Sequence, residues 1–275
     1  MQQYGFDAKI LAGGQSLVPL LNFRLAIPQV LVDINRIKEL DYIREADGMV
    51  AFGAIARQSM LETSDLVRSR CGLLADTAEL IGHPQIRNRG TVAGSVCHAD
   101  PGAELPAVAR LLDAQMKIVG PAGERIVAAD DFFVTLMTTS MEPTEFLTEV
   151  RFPALPPRTG WAFEEFTIRH GDFAIVGVTA LVTLDERQVC KDVRIAAIGV
   201  GEIPHRDRSV EKLFPGQKIN DSLLEEASER MAQGTEPSTD LHASAAQRKH
   251  LLRVLTKKAV KKAAEKAGEI SKKGR

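Results

Sequence analysis

The sequence predicts an α+β fold, with one α+β domain to about residue 152 and a smaller sheet-plus-helices domain behind it. Three observations carry this. Short apolar runs with strand character alternate with runs whose apolar residues recur at helical spacing. The stretch "FPALPPRTG" at 152–160 gathers three prolines and a glycine, the composition of a domain boundary. The chain has 275 residues, 44% of them hydrophobic, which exceeds one average domain and leaves ample core.

Taken in order, residues 8–12 and 30–34 ("VLVDI") read as short buried strands. "YIREADGMVAFGA" reads as a hairpin turning at Asp47-Gly48, a pair that tolerates the positive φ angles of a tight turn. "LLADTAELI" at 73–81 has helical spacing; Gly82 closes that helix and Pro84 prevents its continuation. "GHPQIRNRGTVAGS" then reads as a polar loop. A helix begins near Glu104, because Pro106 is comfortable only in a first turn. "AQMKIVG", "GERIVAA" and "EFLTEVRF" are strands joined by turns. Beyond the boundary, "WAFEEFTI", "AIVGVTALVTLD" and "VCKDVRIAAIGVG" are three more. From Asp207 onward the pattern is helical, and Ser244 with Gln247 three residues on forms a capping box for a last long helix. The domain plan is therefore 1–152, a Pro-rich linker at 153–160, a C-terminal domain at 161–266 and a basic tail at 267–275.

Composition excludes several classes of function. A net charge of −1 argues against a general nucleic-acid or membrane-surface binder. No apolar run is long enough for a membrane span, and no basic n-region precedes an apolar h-region, so the expected compartment is the cytoplasm. The three cysteines, Cys71, Cys97 and Cys190, have no paired spacing, so an iron–sulfur cluster or zinc site held by this chain alone is not expected. Charge is uneven: residues 248–275 carry 11 Lys/Arg against 2 Asp/Glu, a net of +9 that leaves −10 for the rest. That reads as a solvated helix, with an electrostatic dock for an acidic partner as the alternative.

The common nucleotide and hydrolase templates are absent: no G-x-G-x-x-G, no P-loop, no G-x-S-x-G and no H-E-x-x-H. Two small-residue stretches remain, Ala12–Ser16 and Thr91–Ser95. Each offers main-chain N–H groups in a concave turn, and small side chains let an anion approach them. Ser16, Thr91 and Ser95 add hydroxyl donors. Taken alone, such stretches fit a phosphate cradle or a plain turn.

Three motifs, in order, carry a resemblance over residues 4 to about 265: "AGGQSLVPLLNFRLAIPQVLVDINRI", "IGHPQIRNRGTVAGSVCHADPGAELPAV" and "IRHGDFAIVGV". They resemble the FAD-binding medium subunit of the molybdenum hydroxylases, the family of carbon monoxide dehydrogenase medium chains and the xanthine dehydrogenase flavin domain. The resemblance implies a two-lobed FAD-binding domain of the p-cresol methylhydroxylase/vanillyl-alcohol oxidase type, followed by a smaller C-terminal domain. It implies non-covalent FAD, with Ala12, Gly13, Gly14, Gln15, Ser16 and Leu17 on one side of the pyrophosphate. Thr91, Val92, Ala93, Gly94 and Ser95 lie on the other. Glu104 matches an acidic position at the cofactor's ribose or polyol, and Leu147 an apolar flavin contact. Asp172 holds the turn that places Phe173 near the isoalloxazine ring.

The partners it implies are a small iron–sulfur subunit with [2Fe–2S] clusters, a large subunit with the molybdenum cofactor, and an external electron acceptor. A nucleotide-binding scaffold subunit without flavin, or a stand-alone flavin oxidoreductase, would share the same motifs. The chain also departs from the family pattern. Ala93 stands where a glycine is usual, which would cost about 1 kcal/mol if that position needs a positive φ. Glu164 and Glu165 lie where many members carry a lysine, and the usual strand and helix ahead of the first motif are missing.

Overall fold

The computed structural model describes residues 1–273. The basic tail predicted at 267–275 thus has its last two residues, 274 and 275, outside the described part. The chain divides into two compact units that are not sequential: residues 1–100 with 112–154, and residues 101–111 with those from 155 on.

In the first unit, β1 (Ala8–Leu11) leads through α1 (Leu17–Asn22) to β2 (Val30–Asp33), and the two strands pair in parallel with Ala8 opposite Val30. β3 (Ile43–Ala46) and β4 (Met49–Gly53) form the predicted hairpin. Its turn residues Asp47 and Gly48 have φ of 52° and 73°, the two positive angles of a type I′ turn. Five short helices follow: α2 (Ser59–Thr63), α3 (Asp65–Arg70), α4 (Gly72–Ala78), α5 (Pro84–Arg87) and α6 (Val92–His98). The last two replace the polar loop expected at 82–95. Pro84 sits in the first turn of α5 and Thr91 caps α6, both signals of helix starts.

Helix α7 (Glu104–Leu111) begins where Pro106 places it, but it belongs to the second unit. The chain then returns to the first unit through β5 (Gln115–Gly120), β6 (Gly123–Ala128), α8 (Ala129–Phe132), β7 (Phe133–Thr135), β8 (Thr138–Thr139) and β9 (Phe146–Pro153). These complete a five-stranded sheet of order β3-β4-β9-β5-β6. Its centre is tied by Glu149 of β9, fully buried, which accepts from Tyr42 Oη at 2.5 Å and Arg44 Nη2 at 3.0 Å and pairs with Arg151. Burial pushes the Glu149 carboxyl up, but the hydrogen bonds from Tyr42, Arg151 and Arg44 outweigh it and hold it below the usual range.

The second unit is built on a sheet of order β10-β11-β12-β13: Thr159–Phe166, Val176–Leu184, Cys190–Ile198 and His205–Arg206. β11 is an almost unbroken apolar run because both its faces are covered, by α11 (Ala245–Lys273) and by α7. Between them in sequence lie α9 (Arg208–Glu211) and α10 (Asp221–Gln233). α11 buries Leu252, Leu255, Ala259, Ala263 and Ala267, a stripe at helical spacing. The predicted capping box forms reciprocally: Ser244 N–H donates to Gln247 Oε1 at 2.8 Å and Gln247 N–H to Ser244 Oγ at 3.2 Å.

Gly160, read as part of the linker, is a β10 residue on which α11 lies. A Cβ there would be 2.1 Å from the Ala263 carbonyl oxygen and 2.2 Å from the Ala267 nitrogen. The basic face of α11 finds acid partners within the unit. Lys257 reaches Glu225 at 2.7 Å, Arg253 reaches Glu229, and Lys258 reaches Glu164 at 2.6 Å, with Lys262 on the same carboxylate. No described helix is long and apolar enough to cross a membrane.

Candidate functional site

The first motif turns out of β1 at its C-terminal end. Gly14 has φ of +75°, a left-handed backbone that reverses the chain after β1, which is only partly buried, as is β2, against the expectation of buried strands. Among the described residues, the main-chain N–H groups of Gly13, Gly14, Gln15, Ser16 and Leu17 find no acceptor within the chain. Ser16 stands at the N-cap of α1 without a side-chain cap bond, and Gln15 Nε2 folds back to the Gly13 carbonyl at 3.2 Å. Successive unspent donors on a tight turn form a concavity suited to an anion.

The second motif is a helix start rather than a loop. Thr91 Oγ1 accepts from Gly94 N–H at 3.0 Å, and residues 92–95 are helical. A Cβ at Gly94 would lie 2.6 Å from Thr91 Oγ1, so the cap itself requires a glycine there. Ala93 is buried in this helix and does not have a positive φ, so the cost anticipated for it does not arise. The left-handed residue is Ala99, with φ of 52°, where α6 ends.

Within the first unit the two motifs touch through main chain. A Cβ on Gly13 would lie 2.4 Å from the Arg89 carbonyl oxygen and 2.8 Å from Gly90 Cα. Gly90 in turn packs on Gln58, whose N–H donates to the Gly90 carbonyl at 2.9 Å. Arg57 forms a β-bridge with Thr91, and its Nη1 donates to the Arg89 carbonyl at 2.5 Å. Its Nη2 donates to Asn35 Oδ1 at 2.7 Å, and Asn35 Nδ2 donates to the Ala12 carbonyl at 2.8 Å.

Asn35, Arg57 and Gln58 are functional residues beyond those the motifs predict. Asn35 lies inside the first quoted motif and follows Asp33 at the spacing of an Asx turn, a local signal that marks it in retrospect. Arg57 and Gln58 carry no local signal, since their partners are more than 20 residues away. Arg87, in the second motif, is not a surface charge. It is buried, pairs with Glu62 and donates to the Ile81 carbonyl at 3.0 Å.

A cavity of about 340 Å³ opens beside this junction, lined by Leu11, Gly13, Gly14, Gln15, Val18, Pro19, Asn22 and Arg89. Burial, then the neighbouring Arg89, draws the Arg57 guanidinium below its ordinary value. The N–H and amide of Asn35 hold the Asp33 carboxyl below the usual carboxylate range. The exposed Arg89 and the unspent N–H groups of Gly13, Gly14 and Gln15 give the cavity a donor-rich wall. That set fits the pyrophosphate of a dinucleotide, and the two glycines leave room for it to reach the backbone.

The other predicted residues are placed differently. Leu147 is 2% exposed in central strand β9, so it backs the strand and offers no binding surface. Glu104, Asp172 and Phe173 belong to the second unit. Glu104 is 4% exposed and partnered in the first turn of α7. Asp172 closes its turn through main chain, its N–H donating to the Arg169 carbonyl at 3.1 Å. Phe173 is 57% exposed, so it is not part of the core. Glu165 has a buried Oε2 with no hydrogen-bond partner, and burial pushes its carboxyl up to about 7.

Comparison with known proteins matches both halves of the chain. Residues 1–155 match the FAD binding domain in molybdopterin dehydrogenase, and residues 161–263 the CO dehydrogenase flavoprotein C-terminal domain. The chain is 41% identical to subunit alpha of the 6-hydroxypseudooxynicotine dehydrogenase complex of Paenarthrobacter nicotinovorans, over 96% of this chain and 89% of that one. It is 38% identical to the carbon monoxide dehydrogenase medium chain of Hydrogenophaga pseudoflava, over 88% and 84% of the two chains. Its fold superposes on a solved structure of carbon monoxide dehydrogenase from Hydrogenophaga pseudoflava, the form lacking the Mo-pyranopterin moiety of the molybdenum cofactor. There the TM-score is 0.93 at 36% identity, covering 96% of this chain and 92% of that one.

Proposed function

The chain belongs to the FAD-binding subunits of the molybdenum hydroxylase family, and from that membership we propose that it is the flavin electron-transfer subunit of a multi-subunit molybdenum-containing dehydrogenase. The supporting observation is the junction of the two motifs at a donor-lined cavity in the FAD-binding domain. Substrate is oxidised on a large molybdenum-cofactor subunit, and electrons reach this chain through [2Fe–2S] clusters on a small subunit. FAD, when bound, accepts those electrons and releases them to an external acceptor.

The chain's own residues bind and orient. The N–H groups of Gly13 to Leu17 hold one side of the pyrophosphate, and the segment Thr91–Ser95 forms the other wall. Each N–H to a charged oxygen contributes about 1.5–3 kcal/mol, so two or three contribute about 3–9 kcal/mol toward non-covalent binding. No side chain here is assigned as nucleophile, acid or base. The test is rapid mixing of the assembled complex with its reducing substrate in the absence of acceptor. Bleaching of the flavin after iron–sulfur reduction supports the assignment; a flavin that stays oxidised while the clusters reduce refutes it.

A further inference from the structure

The two FAD-holding segments are far apart in sequence, and a short chain of hydrogen bonds joins them. Asp33 Oδ1 accepts from Asn35 N–H at 2.9 Å and from Asn35 Nδ2 at 2.7 Å, which fixes the Asn35 amide. That amide donates to the Ala12 carbonyl at 2.8 Å, at the entry to the glycine turn. Its Oδ1 accepts from Arg57 Nη2 at 2.7 Å, and Arg57 Nη1 donates to the Arg89 carbonyl at 2.5 Å. The Arg57 backbone is pinned in turn: it bridges Thr91, while its neighbours bond on either side, Val92 N–H to Ala56 O at 3.0 Å and Gln58 N–H to Gly90 O at 2.9 Å.

We infer that Asn35 and Arg57 are positioning residues that set the separation of the Ala12–Leu17 and Thr91–Ser95 segments, and through it the affinity for FAD. This rests on the reading that FAD binds at these segments. Neither side chain need touch the cofactor. The planar guanidinium suits the task because two of its donors point along fixed directions, one to Asn35, which bonds the first segment, and one to the Arg89 carbonyl just ahead of the second, which a lysine cannot reproduce. A fixed gap matters because main-chain donors on one segment cannot follow an anion held by the other. The Arg89 carbonyl that Arg57 holds is also the atom against which Gly13 packs, so the tie and the close contact act on the same spacing.

The experiment compares the full chain with Asn35→Ala, Arg57→Met and Arg57→Lys by FAD titration, by thermal unfolding without FAD and by amide hydrogen exchange. Wild type is expected to bind FAD stoichiometrically. Asn35→Ala and Arg57→Met should weaken binding roughly ten- to hundredfold, as loss of an outer partner of a binding group does. Arg57→Lys should fall between. Exchange at Gln58 and Val92, whose N–H groups bond across the joint at 2.9 and 3.0 Å, should accelerate without FAD present, a change that reports its loosening. Variants that lose apo stability but keep wild-type FAD affinity and exchange at these amides overturn the inference and leave the FAD assignment standing. A wild-type chain that binds no FAD removes both. Should Arg57→Met fail to fold, Arg57→Lys and Asn35→Ala decide by the same two readouts.

Discussion

Gly13 and Arg89 meet main chain to main chain: any side-chain atom on Gly13 would sit 2.4 Å from the Arg89 carbonyl oxygen. The obstructing atom is backbone held by Arg57, so it cannot rotate away as a side-chain tip would. The glycine is thus required by what lies opposite it, in addition to the anion it leaves room for.

Gly13→Ala therefore separates the two segments. Overpacking of this kind costs about 1–3 kcal/mol of stability. The loss of FAD affinity should exceed about tenfold, which corresponds to about 1.4 kcal/mol. Urea unfolding and a flavin titration of the folded protein measure the two separately. An alanine variant with unchanged affinity shows that the segments need not be this close.

Gly160→Ala places the same kind of obstruction in the second unit, with Ala263 O and Ala267 N each within 2.2 Å of the new Cβ. Helix α11 must shift off β10, and a stability loss of about 1–3 kcal/mol follows. The check is denaturant unfolding followed by tryptophan fluorescence, since Trp161 is in β10 and Lys266 of α11 stacks on its ring at 3.9 Å. An unshifted midpoint argues that α11 does not rest on Gly160.

Much of this was readable beforehand and part was not. The Asp47-Gly48 turn, the Pro106 helix start and the Ser244/Gln247 box are decided by a few adjacent residues, and each stands where the sequence puts it. The five-stranded sheet was legible as strands but not as an order, because β9 inserts between β4 and β5. Helices α5 and α6 were hidden in a polar, glycine-bearing stretch, where the Thr91 cap outweighs composition. The glycine turn at residues 12–16 was visible. Its tie through Asn35 and Arg57 was not, because it joins side chains to backbone far along the chain.

Glu165 gives the pH dependence. Burial raises its carboxyl from 4.5 to about 7 in the folded chain. Between those values the folded state holds a proton the unfolded state has released, so this group makes stability fall as pH rises from about 4.5 to about 7 and adds no further slope above. Glu165→Gln should flatten that stretch of the stability–pH curve. Wild-type and variant curves of equal slope would place the carboxylate in contact with water.

Phe173 is exposed, and the family resemblance implies a place for it near the isoalloxazine ring. Truncating an exposed side chain changes stability by no more than about 0.5 kcal/mol. Phe173→Ala should therefore leave unfolding unaltered while shifting the flavin's visible spectrum or its reoxidation rate. If both flavin properties match wild type, Phe173 has no part in the flavin environment.

FAD held at the joined segments is what makes this chain a flavin subunit. The direct measurement is a titration of the purified apo-chain with FAD, read by its visible absorption and quenched fluorescence, beside Gly13→Ala. One FAD per wild-type chain, with a clear loss in the variant, is the predicted result. A wild-type chain that stays colourless after reconstitution would contradict the account.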